Sequence, residues 1–85
     1  MPLPRSPVGS RSWRELERLA EAAYAAMYEA PPRGVKDCWD DARLYFGKAI
    51  EAARSAGAAN DAARLQRRSS EVAAVYARQF RHVGW

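Results

Sequence analysis

The run Val35-Lys36-Asp37-Cys38-Trp39-Asp40-Asp41-Ala42-Arg43-Leu44-Tyr45-Phe46-Gly47-Lys48-Ala49-Ile50-Glu51-Ala52-Ala53-Arg54-Ser55-Ala56 decides the fold. Val35, Cys38, Trp39, Ala42, Tyr45, Phe46, Ala49, Ile50, Ala53 and Ala56 return every three or four positions, and Lys36, Asp40, Arg43, Lys48, Glu51, Arg54 and Ser55 take the opposite side. That period lays one flank of an α-helix against a core and leaves the other in water. The expected helix starts between Val35 and Asp37 and covers about residues 36–56. Asp37 is its expected cap, Asp40 and Asp41 set negative charge against the positive end of the dipole, and Gly57 supplies the left-handed residue that ends it.

Upstream, Leu16, Leu19, Ala20, Ala23, Met27 and Ala30 repeat at the same spacing, which predicts a helix over 13–30. Ser12 is its cap, with Glu15 placed to answer it in a reciprocal pairing. Pro31 and Pro32 stop it, because neither ring offers an N–H and the residue before a proline is pushed out of the α region. Downstream, Asn60 is the expected cap of a third helix over 61–82, with Ala62, Leu65, Ser69, Val72, Ala73, Tyr76 and Phe80 on its apolar side. Nothing alternates with the period of two that a strand needs. Short connections make neighbouring helices antiparallel, so the expected fold is an all-α, up-down-up three-helix bundle over 12–85. Residues 1–11, with Pro2, Pro4, Pro7 and Gly9, are the expected disordered arm.

With 85 residues there is room for one core, and a hydrophobic fraction of 48% against 28% charged fits a globular chain. Alanines line all three seams, so core strength rests on few large side chains. No stretch has the ~18 apolar residues of a membrane span, and residues 1–12 lack the apolar core of a secretory signal. Cys38 is alone and suits a reducing compartment, so the expected location is cytoplasmic.

One His and one Cys do not make a three- or four-ligand metal site, and no glycine cluster precedes a helix to cradle phosphate. Cys38 belongs to the apolar stripe as a packed thiol. His82 sits in the last turn of the third helix, where a cation suits the dipole. Asp37, Asp40 and Asp41 are explained by the helix start. The expectation is therefore no enzyme, no cofactor and no metal.

Charge is uneven: two Arg against four Glu give the first helix −2, and five Arg against Asp61 and Glu71 give residues 58–85 +3. These helices are neighbours in a three-helix bundle, so their opposite charges favour packing. Arg64, Arg67, Arg68, Arg78 and Arg81 also form the face that nucleic acid would use, although Glu71 interrupts it and no aromatic is interleaved to stack on bases.

Some large apolar residues break the pattern. Leu44 falls on the polar side of the second helix and Val75 among the arginines of the third, so both are expected to be exposed. Tyr28 lies at a polar edge, and Trp13 and Trp85 lie at helix ends. Together these five form a candidate protein interface. The alternative for the tryptophans is that they fold over the open ends of the core.

The stretch Ala42-Arg43-Leu44-Tyr45-Phe46-Gly47-Lys48-Ala49-Ile50-Glu51-Ala52-Ala53 resembles the second helix of a tetratricopeptide-type hairpin, with Tyr45, Ala49 and Ile50 at packing positions. The family's repeat period is absent. Three-helix microtubule-interacting and trafficking domains are similar in size and in this segment. The arrangement Tyr24, Met27-Tyr28, Asp41, Ala49-Ile50, Gly57, Arg64-Leu65, Val75-Tyr76 and Gln79-Phe80 resembles small uncharacterised bacterial helical proteins, and the arginine and alanine bias suits a GC-rich bacterial genome. These resemblances imply helices and no particular activity. The functional expectation is a small protein that binds another protein, or itself as a homodimer; a nucleic-acid accessory role for the arginine face is the alternative.

Overall fold

The structure, a computed structural model, describes residues 12–80. The arm 1–11, and the last five residues with Arg81, His82 and Trp85, lie outside the described residues. Within them are three α-helices, α1 (Trp13–Met27), α2 (Val35–Ser55) and α3 (Ala59–Val75), and no strand. The all-α three-helix bundle expected from periodicity is what forms.

The helix ends depart from the sequence reading in instructive ways. Ser12 caps α1 as expected, its hydroxyl accepting from the Glu15 N–H at 3.2 Å. The return bond from the Glu15 carboxylate is not made. α1 stops at Met27 rather than near residue 30, because the Pro31 ring would collide with the carbonyl four residues back, that of Met27. α2 begins at Val35, the early end of the expected range, and Asp37 is not its cap. The chain coils through a 3₁₀ turn, Pro32–Gly34, straight into the helix, which leaves Asp37 inside the first turn.

α2 ends in a Schellman motif. Gly57 has φ 77°, its N–H donates to the Arg54 carbonyl at 3.0 Å, and the Ala58 N–H reaches back to Ala53 at 2.8 Å. Ala56, read as apolar-facing, is the exposed C-cap. The turn is so tight that α3 starts at Ala59 with Ala58 as N-cap, and Asn60 is overtaken as a cap. Past Val75 α3 gives way to a wider π-helical turn, Tyr76–Phe80, where regular α-helix was expected; residues 81 and 82 of the expected span lie outside the described residues. The wider turn slows the rotation of successive side chains, so Phe80 stays close to the face that Val72 buries.

Side-chain pairs give the topology. Glu17 meets Arg64 and Glu21 meets Arg68, so α1 and α3 run parallel with a constant offset. Trp39, early in α2, stacks on Tyr76, late in α3, so α2 runs against both. α2 lies along both neighbours, whereas α1 and α3 face each other mainly through long side chains. Ala20, Ala42, Ala49 and Ala53 are fully buried, which allows close approach; Leu16, Met27, Val35, Phe46, Ile50, Leu65 and Val72 supply the bulk. Trp39, Tyr45, Tyr76 and Phe80 pack half-buried around that centre, and Leu19 stays at its margin. No buried polar side-chain atom among the described residues lacks a partner. No helix described here is long and apolar enough to cross a membrane.

Candidate interaction surface

Trp13, Glu17, Glu21, Tyr24 and Tyr28 recur at steps of three and four along α1, so a single stripe carries them from the start of the helix to its C-cap. α3 lies opposite, and the stripe meets it in three ways.

At the start of α1 the meeting is hydrophobic and sealed. Trp13 is only 9% exposed, with the Arg14 guanidinium 4.5 Å and the Arg64 guanidinium 5.9 Å from its ring centre. Its expected place in an interface is thereby corrected. The indole folds over the open end of the core, because a ring of that size gains more from burial than from standing in water.

The middle is ionic. Arg64 grips Glu17 through two bonds, 2.7 and 3.1 Å, and Arg68 grips Glu21 through two, 2.7 and 2.9 Å. Asp61 and Glu71 add further contacts at 3.5 and 3.2 Å. The Arg64 guanidinium holds the Glu17 carboxyl below the usual carboxylate range, and the two arginines are in turn held above theirs by their glutamates. Because α1 and α3 are spaced by these long side chains, a shallow groove of about 260 Å³ lies along them, lined by Glu17, Glu21, Arg64, Arg67, Arg68 and Glu71. Of the proposed nucleic-acid face, Arg64 and Arg68 are therefore committed to carboxylates. Arg67 and Arg78 are exposed, and Arg81 lies outside the described residues.

The far end of the stripe is aromatic and open. The Tyr24 and Tyr28 hydroxyls lie 3.1 Å apart, their rings meet edge to face at 5.6 Å, and Tyr28 meets Phe80 the same way at 4.9 Å. Arg68 sits over the Tyr24 ring at 5.2 Å. Losing the Tyr24 proton would disturb the hydroxyl pair, so that hydroxyl is held above its ordinary range by Tyr28. Close by in the fold, Trp39 and Tyr76 stack at 4.7 Å with Arg43 over Trp39. Although two rings flank it, Tyr28 remains 54% exposed.

The remaining expected interface residues scatter. Leu44 is 51% exposed, as expected, but it takes no part in the ring contacts. Val75 is half-buried rather than exposed: three positions after Val72, it falls at the edge of the face that α3 turns inward. Trp85 lies outside the described residues. Tyr24 and Phe80, which hold Tyr28 in place, were not among the expected site residues; the step of four between Tyr24 and Tyr28 was the available signal. The acidic trio stays a helix-start feature, with Asp40 bound by Lys36 at 3.0 Å and Arg43 at 3.2 Å. Comparison with known proteins gives no match: no family model, no curated protein and no solved structure shows significant similarity to the chain.

Proposed function

We propose that this chain is a cytoplasmic protein-interaction module that acts by binding rather than by catalysis, and that its recognition surface is the aromatic end of α1 with Tyr28 as the anchor. One observation carries the reading. Tyr28 is held by two perpendicular rings yet keeps more than half its surface in water, which is the profile of a preorganised interface side chain. Tyrosine suits that role because it presents a large rigid area with a polar tip and loses little conformational entropy when covered. The partner is another protein or a second copy of this chain, and the lone Cys38 is in keeping with a reducing compartment.

A photoreactive residue placed at exposed Glu29, beside Tyr28, tests this against the same residue at Lys48, one helical turn beyond Leu44. A discrete adduct from position 29, to a partner or a second copy, that disappears with Tyr28→Ala and is not formed from position 48 is expected. Equal labelling from both positions, or none from position 29, contradicts it.

A further inference from the structure

We propose that the partner is a second copy of this chain, docked antiparallel on the outward face of α1 with Tyr28 at its edge; this rests on the reading of Tyr28 as an anchor. At about 3.6 residues per turn, Arg18, Ala22, Ala25 and Glu29 fall within about 60° of one another, on the side of α1 turned away from the buried Leu16, Ala20 and Met27. All four are exposed. The Glu29 N–H still donates to the Ala26 carbonyl, at 3.1 Å, so the coil that sets this alignment runs on past the helix end. Among the described residues neither Arg18 nor Glu29 takes part in an ion pair, whereas Glu17 and Glu21, on the flank that meets α3, both do.

The spacing makes this face complementary to itself. The midpoint between Arg18 and Glu29 is also the midpoint between Ala22 and Ala25. A two-fold axis set across the helix at that point therefore brings Arg18 of each copy level with Glu29 of the other, and Ala22 level with Ala25. Opposite charges close both ends of the contact, and the small alanines at its centre let the two helix axes approach to about 8 Å. Two chains of net charge +4 repel overall, which favours, for any contact between copies, a face where opposite charges pair.

Tyr28 stands beside this face, three positions after Ala25. In the same register Arg18 of the second copy comes within one residue's rise of it, about 1.5 Å along the axis, and so reaches both Glu29 and the neighbouring ring. A guanidinium over the ring is how the molecule treats the other aromatics of the stripe: Arg14 and Arg64 lie 4.5 and 5.9 Å from the centre of Trp13, and Arg68 lies 5.2 Å from that of Tyr24. Among the described residues no guanidinium lies over Tyr28. Arg18 of the second copy supplies it and covers ring surface that a single chain leaves in water.

Charge reversal in the full chain tests the register, with association followed by sedimentation equilibrium and folding by circular dichroism. The wild type is expected to form a dimer that weakens as salt rises. Arg18→Glu alone and Glu29→Arg alone each set like charges opposite one another twice, and each should weaken self-association by about tenfold or more. Mixed in equal amounts, the two variants again place opposite charges at both ends and should recover association close to that of the wild type, as a heterodimer. A wild type that stays monomeric at millimolar concentration, single variants that associate as the wild type does, or a mixture that recovers nothing overturns the assignment. The photoreactive residue at position 29 removes these ion pairs without reversing them, so the alanine and Tyr28 contacts still bring it against the second copy. Should its adduct form with a different protein while the wild type is monomeric, only the second-copy assignment falls and the Tyr28 anchor stands; no adduct at all removes both.

Discussion

The two ends of α1 carry the same kind of residue and treat it oppositely. Trp13 at the first position is 9% exposed, while Tyr28 at the C-cap is 54% exposed. Both lie on the stripe that faces α3. At the Trp13 end two arginines reach over the ring and the core closes beneath it. At the Tyr28 end the prolines break α1 early and α3 loosens into a π-helical turn, so the rings pack on one another and leave one of them uncovered. An aromatic residue at a helix end is thus a plug where the core closes beneath it, and an exposed ring where it packs mainly on other rings.

The largest expected effect breaks the sealed end. Trp13→Ala should destabilise the fold by about 3–5 kcal/mol, as removal of a buried tryptophan side chain does, measured by chemical denaturation. A loss much smaller than that would mean the indole is not part of the core.

Next in size, and of opposite sign, is Gly47→Ala. Gly47 is exposed in mid-α2 and a Cβ there meets nothing within 4 Å, so alanine should add about 1 kcal/mol, the ordinary helix-propensity gain. A loss on this substitution would show that the outer face of α2 is covered in solution, and would shift attention from Tyr28 to Leu44.

The ionic middle sharpens the comparison through pH. The folded Glu17 carboxyl titrates below its unfolded range, so its stabilisation is present above the unfolded value and is lost as pH falls through the folded one. Removing its partner with Arg64→Ala should cost up to about 1 kcal/mol at neutral pH, a part-exposed ion pair's worth. The difference between wild type and variant should shrink toward zero in acid. A difference that persists at low pH would assign the effect to packing of Arg64 on Trp13 instead.

Smallest is Leu44→Glu, an exposed site with no partner among the ring contacts, expected to change stability by less than about 0.5 kcal/mol. It should leave the adduct from position 29 intact.

Periodicity alone made the three helices, their inward faces and their pairing legible, because burial of one flank dominates the energetics of a small bundle. The charge imbalance between α1 and α3 likewise pointed to their packing, but the Glu17–Arg64 and Glu21–Arg68 pairs that carry it are seen only in the structure. Helix ends were less legible. Asp37 and Asn60 are good caps in isolation, yet the 3₁₀ turn after Pro31 and the Schellman turn at Gly57 begin the helices earlier, and local chain path overrides side-chain preference. The residues that break the pattern include Tyr28 and Leu44, which are exposed, but also Trp13, which is buried, and Val75, which is half-buried. Only the three-dimensional pairing of α1 with the end of α3 shows that Tyr24 and Phe80 belong with Tyr28.

The contrast between the ends is tested most directly by measuring unfolding free energy and adduct formation from position 29 for Trp13→Ala and Tyr28→Ala side by side, under conditions where both variants are folded. The expected result is a crossing: Trp13→Ala loses stability and keeps the adduct, and Tyr28→Ala keeps most of its stability and loses the adduct. Two variants that lose both properties in the same proportion would contradict the account.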